Sequence, residues 1–188
     1  MTGDSEIDYV FEVEGTAMVE VEQTLLDQYK QMHRDGAFKG LSLRPHLNDI
    51  TRLVMKHNPR SILDYGCGKA ELYTALNLRE RWQAMVYLYD PAVPEFATKP
   101  KGLFDGVICT DVLEHIPEGE IRAILDDILG FAHKFAFLSV CTRPARKTLP
   151  DGRNAHLTVR DQAWWDARLS EARLRLGRPI ECELAFVN

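Results

Sequence analysis

Two carboxylates bracket a glycine turn near the middle of the chain, in Asp64-Tyr65-Gly66-Cys67-Gly68-Lys69-Ala70-Glu71. Glycines at such a place let the backbone turn tightly and approach a ligand closely. A dinucleotide site wants a third glycine at position 71 and a helix N-terminus open to pyrophosphate. This chain has Glu71 there and Asp64 just before the turn. Two acids beside a diphosphate would repel it. They favour a ligand with a cationic amino group and a sulfonium, a description that S-adenosyl-L-methionine (SAM) meets. Asp90 ends the next apolar run, 22 positions beyond Gly68. An acid so placed can accept hydrogen bonds from both hydroxyls of a ribose.

The elements that must position these residues follow from the apolar pattern. Ser61–Tyr65, Ala84–Tyr89, Phe104–Thr110, Phe135–Cys141 and Ile180–Val187 are short apolar runs of the buried-strand type. Helical spacing is predicted over 22–34, from Pro45 to a stop at Asn58-Pro59, over 70–79 with Leu72, Ala75 and Leu76 facing in, over 118–132 and over 161–176. Residues 8–22 alternate locally and suit a short strand or hairpin, while 142–158 is a loop rich in Pro, Arg and Gly. Strands alternating with helices mean βαβ units and an α/β fold, a mainly parallel sheet with helices on both faces. Ligands of such sheets bind beyond the carboxyl ends of the strands.

Four stretches resemble class I SAM-dependent methyltransferases, in that family's order: SILDYGCGKAEL (61–72), VYLYDP (86–91), FDGVICTDVLEHIP (104–117) and FAFLSVC (135–141). The resemblance implies a three-layer Rossmann-like sheet and a methyltransferase using SAM, with S-adenosyl-L-homocysteine as product. It implies that Asp64, Gly66 and Gly68 hold the methionine part, with Cys67 beside them. It implies Asp90 for the ribose, with Pro91 adjacent, and Asp111 and Val112 as cofactor-pocket wall. The chain departs from the family between Asp90 and Phe104, where only 13 residues stand and three are proline. A shortened connection is expected there, with the family's third strand reduced or missing and the adenine contacts of that region unassigned.

Methyl transfer is an in-line displacement, so the enzyme must chiefly align the acceptor with the methyl carbon. A hydroxyl acceptor also has to lose its proton, to a His, Asp or Glu. His115 follows the 104–110 strand on the ligand side, and His156 lies in the polar loop after the 135–141 strand. Arg143, just beyond that strand, can clamp a phosphate or carboxylate. Tyr29, His33 and Arg44 lie in a segment expected to cover the site. No His/Cys/Asp group has metal-ligand spacing, and no metal is expected.

At 188 residues the chain is read as one domain: a cap segment at 1–44, a SAM-binding core at 45–141, and an acceptor-side loop, helix and strand at 142–188. The net charge of -5 argues against a general nucleic-acid partner. Charge is uneven, however, at -7 over residues 1–30 and +5 over 142–178. The arginines of the second region suggest an anionic acceptor, a phosphorylated or sugar-like small molecule. An RNA or nucleotide methyltransferase and a non-catalytic SAM-binding partner protein remain as alternatives. No apolar stretch is long enough to span a membrane. The acidic start has no signal-peptide pattern and Cys67, Cys109, Cys141 and Cys182 form no Cys-x-x-Cys pair, so a cytoplasmic location is expected.

Overall fold

The computed structural model describes residues 23–187, so the strand or hairpin expected at 8–22 lies outside them. Five strands, β1 (Ser61–Tyr65), β2 (Met85–Tyr89), β3 (Phe104–Thr110), β4 (Ala132–Cys141) and β5 (Glu181–Val187), make one sheet in the order β2-β1-β3-β4-β5. Every pairing is parallel. A parallel strand is covered on both faces, which is why it reads as an unbroken apolar run. β3, at the centre, is buried at all seven positions. Gly106 is required there by packing, because a Cβ would collide with the Phe135 ring of β4.

The described residues form six helices, α1 (Leu25–Arg34), α2 (Leu47–His57), α3 (Glu71–Ala75), α4 (Leu78–Trp82), α5 (Ile121–Phe131) and α6 (Gln162–Leu176), of which α2 to α6 cover the two faces of the sheet. Successive strand residues point to opposite faces, so β1 and β3 divide their side chains between two cores. Leu63, Val107 and Cys109 pack with Leu125, Ile128 and Leu129 of α5 and Trp165 and Leu169 of α6. Ile62 and Ile108 pack with Ile50 and Leu53 of α2, Leu72 and Tyr73 of α3, and Leu78 and Trp82 of α4. The result is the three-layer α/β arrangement expected. Thr24 caps α1 by accepting from the Asp27 amide, and Asp161 caps α6 by accepting from the Trp164 amide. Each leaves one orphan N–H fewer at its helix start.

The helix expected over 70–79 is two short ones. Asn77 takes a left-handed conformation (φ 48°) and breaks it. Asparagine is among the few residues that visit this region readily. Ala75 faces solvent, and Tyr73 rather than Ala75 points inward. Between Tyr89 and Phe104 there is no strand, only a 3-10 turn at Pro94–Phe96, so β2 is the sheet's edge on that side. Residues 142–158 form a loop with one antiparallel bridge, Thr148 to Asn154. A third small core of Met32, Leu149 and Ala155, with Tyr29, Phe38 and Leu157 against it, packs α1 onto that loop. The four cysteines are free thiols. Among the described residues no helix is long and apolar enough to cross a membrane.

Candidate active site

β1 is the point where the strand order reverses, with β2 on one side and β3 on the other. In such sheets the crevice at the strands' carboxyl ends is the ligand site. The chain leaves β1 through Gly66 (φ 83°) and Gly68 (φ 55°), both left-handed. A Cβ on Gly66 would also strike Cγ2 of Val112. The turn is tied inward by its own amides. Gly66 and Cys67 donate to the Tyr89 carbonyl (2.7 and 3.1 Å), and Ala70 donates to the Cys67 carbonyl (3.1 Å). Gly68 donates to Oδ2 of Asp90 (2.9 Å).

Three acids stand around this turn, each at the end of a strand. Asp64 is fully buried, with Oδ2 accepting from the Tyr73 hydroxyl (2.9 Å) and Oδ1 without any partner. Burial pushes its carboxyl up to about 7. Asp90 accepts from the Gly68 amide at one oxygen and the Ala92 amide at the other (2.8 Å). A carboxylate has about four lone-pair sites, so two remain for ribose hydroxyls. Asp111 sits at φ 54°. Its amide donates to the Ser139 carbonyl (3.1 Å), and the Ser139 hydroxyl donates to its Oδ1 (2.9 Å).

A cavity of about 860 Å³ opens over these groups. Asp64, Gly66, Cys67, Gly68, Asp90, Pro91, Asp111, Val112 and His115 all line it. The orphaned, buried Asp64 oxygen and the spare acceptor sites of Asp90 fit a donor with an ammonium and a ribose, so these residues suit SAM. His115 donates from Nδ1 to the Ala155 carbonyl (2.7 Å), because a carbonyl only accepts. Its Nε2 therefore carries the lone pair. Burial lowers the ring to about 4 and keeps it neutral.

Arg143 and His156 do not line the cavity, contrary to the expectation that both reach the acceptor. The chain turns after β4 so that the Arg143 carbonyl meets Nδ1 of His156 (2.6 Å), and the His156 ring packs behind His115 at 4.9 Å. Arg44 is also outside the lining. Tyr29 and His33 do line it, joined by Phe38 and Lys147, which the sequence reading passed over. Aromatic residues in a segment preceding the core were the available signal for Phe38. Glu114 was missed as well. It is fully buried, and burial with Asp111 nearby pushes its carboxyl up to about 8.

Residues 43–173 match the family model described as a methyltransferase domain. No curated protein matches the chain in sequence. A similar solved structure is the Burkholderia thailandensis 1,6-didemethyltoxoflavin-N1-methyltransferase, crystallised with 1,6-didemethyltoxoflavin and S-adenosylhomocysteine. It is 15% identical, with a TM-score of 0.52 over 86% of this chain and 81% of that one, a likeness of fold. The family model covers the glycine turn, the three strand-end acids and the whole of both helical layers up to α6, and the chain accordingly belongs to the methyltransferase-domain family, as a class I enzyme that takes its methyl group from SAM.

Proposed function

We propose that the enzyme methylates a hydroxyl of a small molecule that has a flat apolar face and an anionic group, such as a phosphorylated or sugar-like metabolite. One observation carries this reading. Tyr29, His33, Phe38 and His115 line the same cavity as the three acids and touch one another, with ring centroids 5.4 Å apart for Tyr29–His115, 5.7 Å for Phe38–His115 and 4.9 Å for His33–Phe38. Lys147 also lines the cavity and stands 4.8 Å from the Phe38 ring centre. Rings offer stacking area to a planar or pyranose-like body, and the ammonium offers a counter-charge. The neighbour crystallised with 1,6-didemethyltoxoflavin supports a small-molecule acceptor.

SAM supplies a methyl group on a sulfonium, which becomes a neutral thioether when the methyl leaves. Asp64 Oδ1 would hold the ammonium end of the donor, Asp90 the ribose, and Val112 the donor's apolar side. Nε2 of His115 takes the hydroxyl proton as the new carbon–oxygen bond forms. The Ala155 carbonyl and the Tyr29 hydroxyl hold that ring in place (2.7 and 3.5 Å). Of the two histidines expected to take the proton, His115 keeps that role in this reading, and the anion-clamping role expected of Arg143 passes to Lys147.

Five of the arginines that raised an RNA acceptor are engaged elsewhere. Arg153 pairs with Asp151, Arg160 with Glu118, Arg168 with Glu171 and Arg175 with Asp126, while Arg178 donates to the carbonyls of Leu129, Gly130 and Ala132. The test is transfer of labelled methyl from SAM to panels of phosphorylated sugars, nucleotide-linked sugars, phenolic acids and RNA. Label is expected in a small anionic acceptor. His115→Ala is expected to lower kcat about a hundredfold with SAM affinity preserved in calorimetry, and Lys147→Ala to raise the acceptor KM. Label appearing only in RNA, or SAM binding with no transfer to any panel, overturns the reading.

A further inference from the structure

Ligand spacing along the chain suggests no metal, yet the fold brings three metal-ligating residues together outside the cofactor cavity. Glu114 lies in the 3-10 turn Leu113–His115 after β3, Cys141 at the end of β4, and His156 in the loop beyond. Each places a ligand atom within 4.8 Å of the other two. Neither Glu114, Cys141 nor His156 lines the cavity.

Glu114 is the informative member. Its side chain is fully buried. Oε1 accepts from the Cys141 amide (3.0 Å), whereas Oε2 is buried with no partner. A buried carboxyl oxygen left so is costly unless a cation or a hydrogen-bonding partner meets it. His156 is held for ligation. Its Nδ1–H donates to the Arg143 carbonyl (2.6 Å), leaving the lone pair on Nε2. Backbone carbonyls fix metal-bound histidines in this way. The Cys141 thiol rests 3.7 Å from the same carbonyl. Cys141 and His156 are half-exposed, which leaves an entry path from solvent.

We propose that Glu114, Cys141 and His156 bind a divalent transition-metal ion of the zinc type, with water in a fourth position. Thiolate with imidazole selects such an ion over magnesium or calcium, which prefer oxygen ligands throughout. On binding, the Cys141 thiol and the Glu114 carboxyl give up their protons to solvent. The ion joins the 113–115 turn, the end of β4 and the 142–158 loop. That loop provides the Ala155 carbonyl held by Tyr29 (2.9 Å) and His115 (2.7 Å), so the ion acts as a positioning element behind the acceptor side.

The full chain, stripped with a chelator, is titrated with zinc and separately with cobalt. One equivalent is expected to bind, zinc raising the thermal midpoint and cobalt giving a thiolate-to-metal charge-transfer absorption. Cys141→Ser is expected to abolish that absorption. Cys141→Ser, His156→Gln and Glu114→Gln are each expected to weaken zinc binding at least about tenfold, with circular dichroism and SAM binding of the metal-free variants showing intact folds. Glutamine keeps the acceptor for the Cys141 amide. Absence of saturable binding, or equal affinity in the wild type and all three variants, overturns the site.

Discussion

Asp64 is a carboxyl placed where charge is expensive, and two opposite pH dependences follow. Burial raises it to about 7, with the Tyr73 hydroxyl pulling down and Asp90 pushing further up. A ligand ammonium needs the ionised form. Affinity for SAM is expected to rise as pH climbs through about 7, and binding below that pH releases a proton, visible as a buffer-dependent heat. The ligand-free fold behaves in the reverse sense. The folded value lies above the ordinary 3.8, so the stabilisation from the neutral acid is complete below about pH 4 and is lost as pH passes about 7. The difference amounts to roughly 4 kcal/mol at most. Asp64→Asn is expected to reduce the slope of the stability profile between about pH 4 and about pH 7 and to weaken SAM at least about tenfold. A wild-type affinity that does not change across neutrality counts against the assignment.

At the scale of elements, the turn after β1 depends on the loop after β3. Gly66→Ala drives a methyl group into Val112 at φ 83°. A cost of about 2 kcal/mol or more is expected in denaturant unfolding, from strain and collision together. Val112→Ala in the same chain is expected to return the collision part, giving a coupling of about 1 kcal/mol in the double-mutant cycle. Strict additivity would show that Val112 is not the obstacle. Asp64, Gly66, Gly68 and Asp90 sit within a few residues of strands whose apolar runs are continuous, so local pattern reaches them. The break at Asn77 did not show, because helical periodicity carries no record of a left-handed residue. Phe38 and Lys147 are placed by the packing of α1 on the 142–158 loop, and Glu114, Cys141 and His156 come from three separate segments. Arg143 and His156 were drawn toward the acceptor by their position after β4, but the loop's turn aims them away.

Across the whole molecule, charge is spent on holding layers together. Arg52 pairs with Glu183, while Lys56 and His57 pair with Glu181, tying α2 to the edge strand β5. Arg175 ties α6 to α5 through Asp126. These are half-exposed pairs, and Lys56→Ala or Arg175→Ala is expected to cost no more than about 1 kcal/mol in thermal unfolding. With those arginines occupied, the proposed anionic acceptor is expected to rest on cavity lysines such as Lys147. The acceptor KM is expected to change by less than about tenfold between low and moderate salt, where a phosphate-backbone ligand held by several bases loses orders of magnitude.

The inward-tied glycine turn has a consequence for life among other adenosine compounds. Four of its amides, those of Gly66, Cys67, Gly68 and Ala70, are already spoken for. A triphosphate arriving by its adenosine end finds these four amides already bonded and two carboxylates in its way. Bystander ATP and NAD are therefore expected to inhibit this enzyme poorly, and its turnover to follow the ratio of methyl donor to spent donor rather than the energy state of its surroundings.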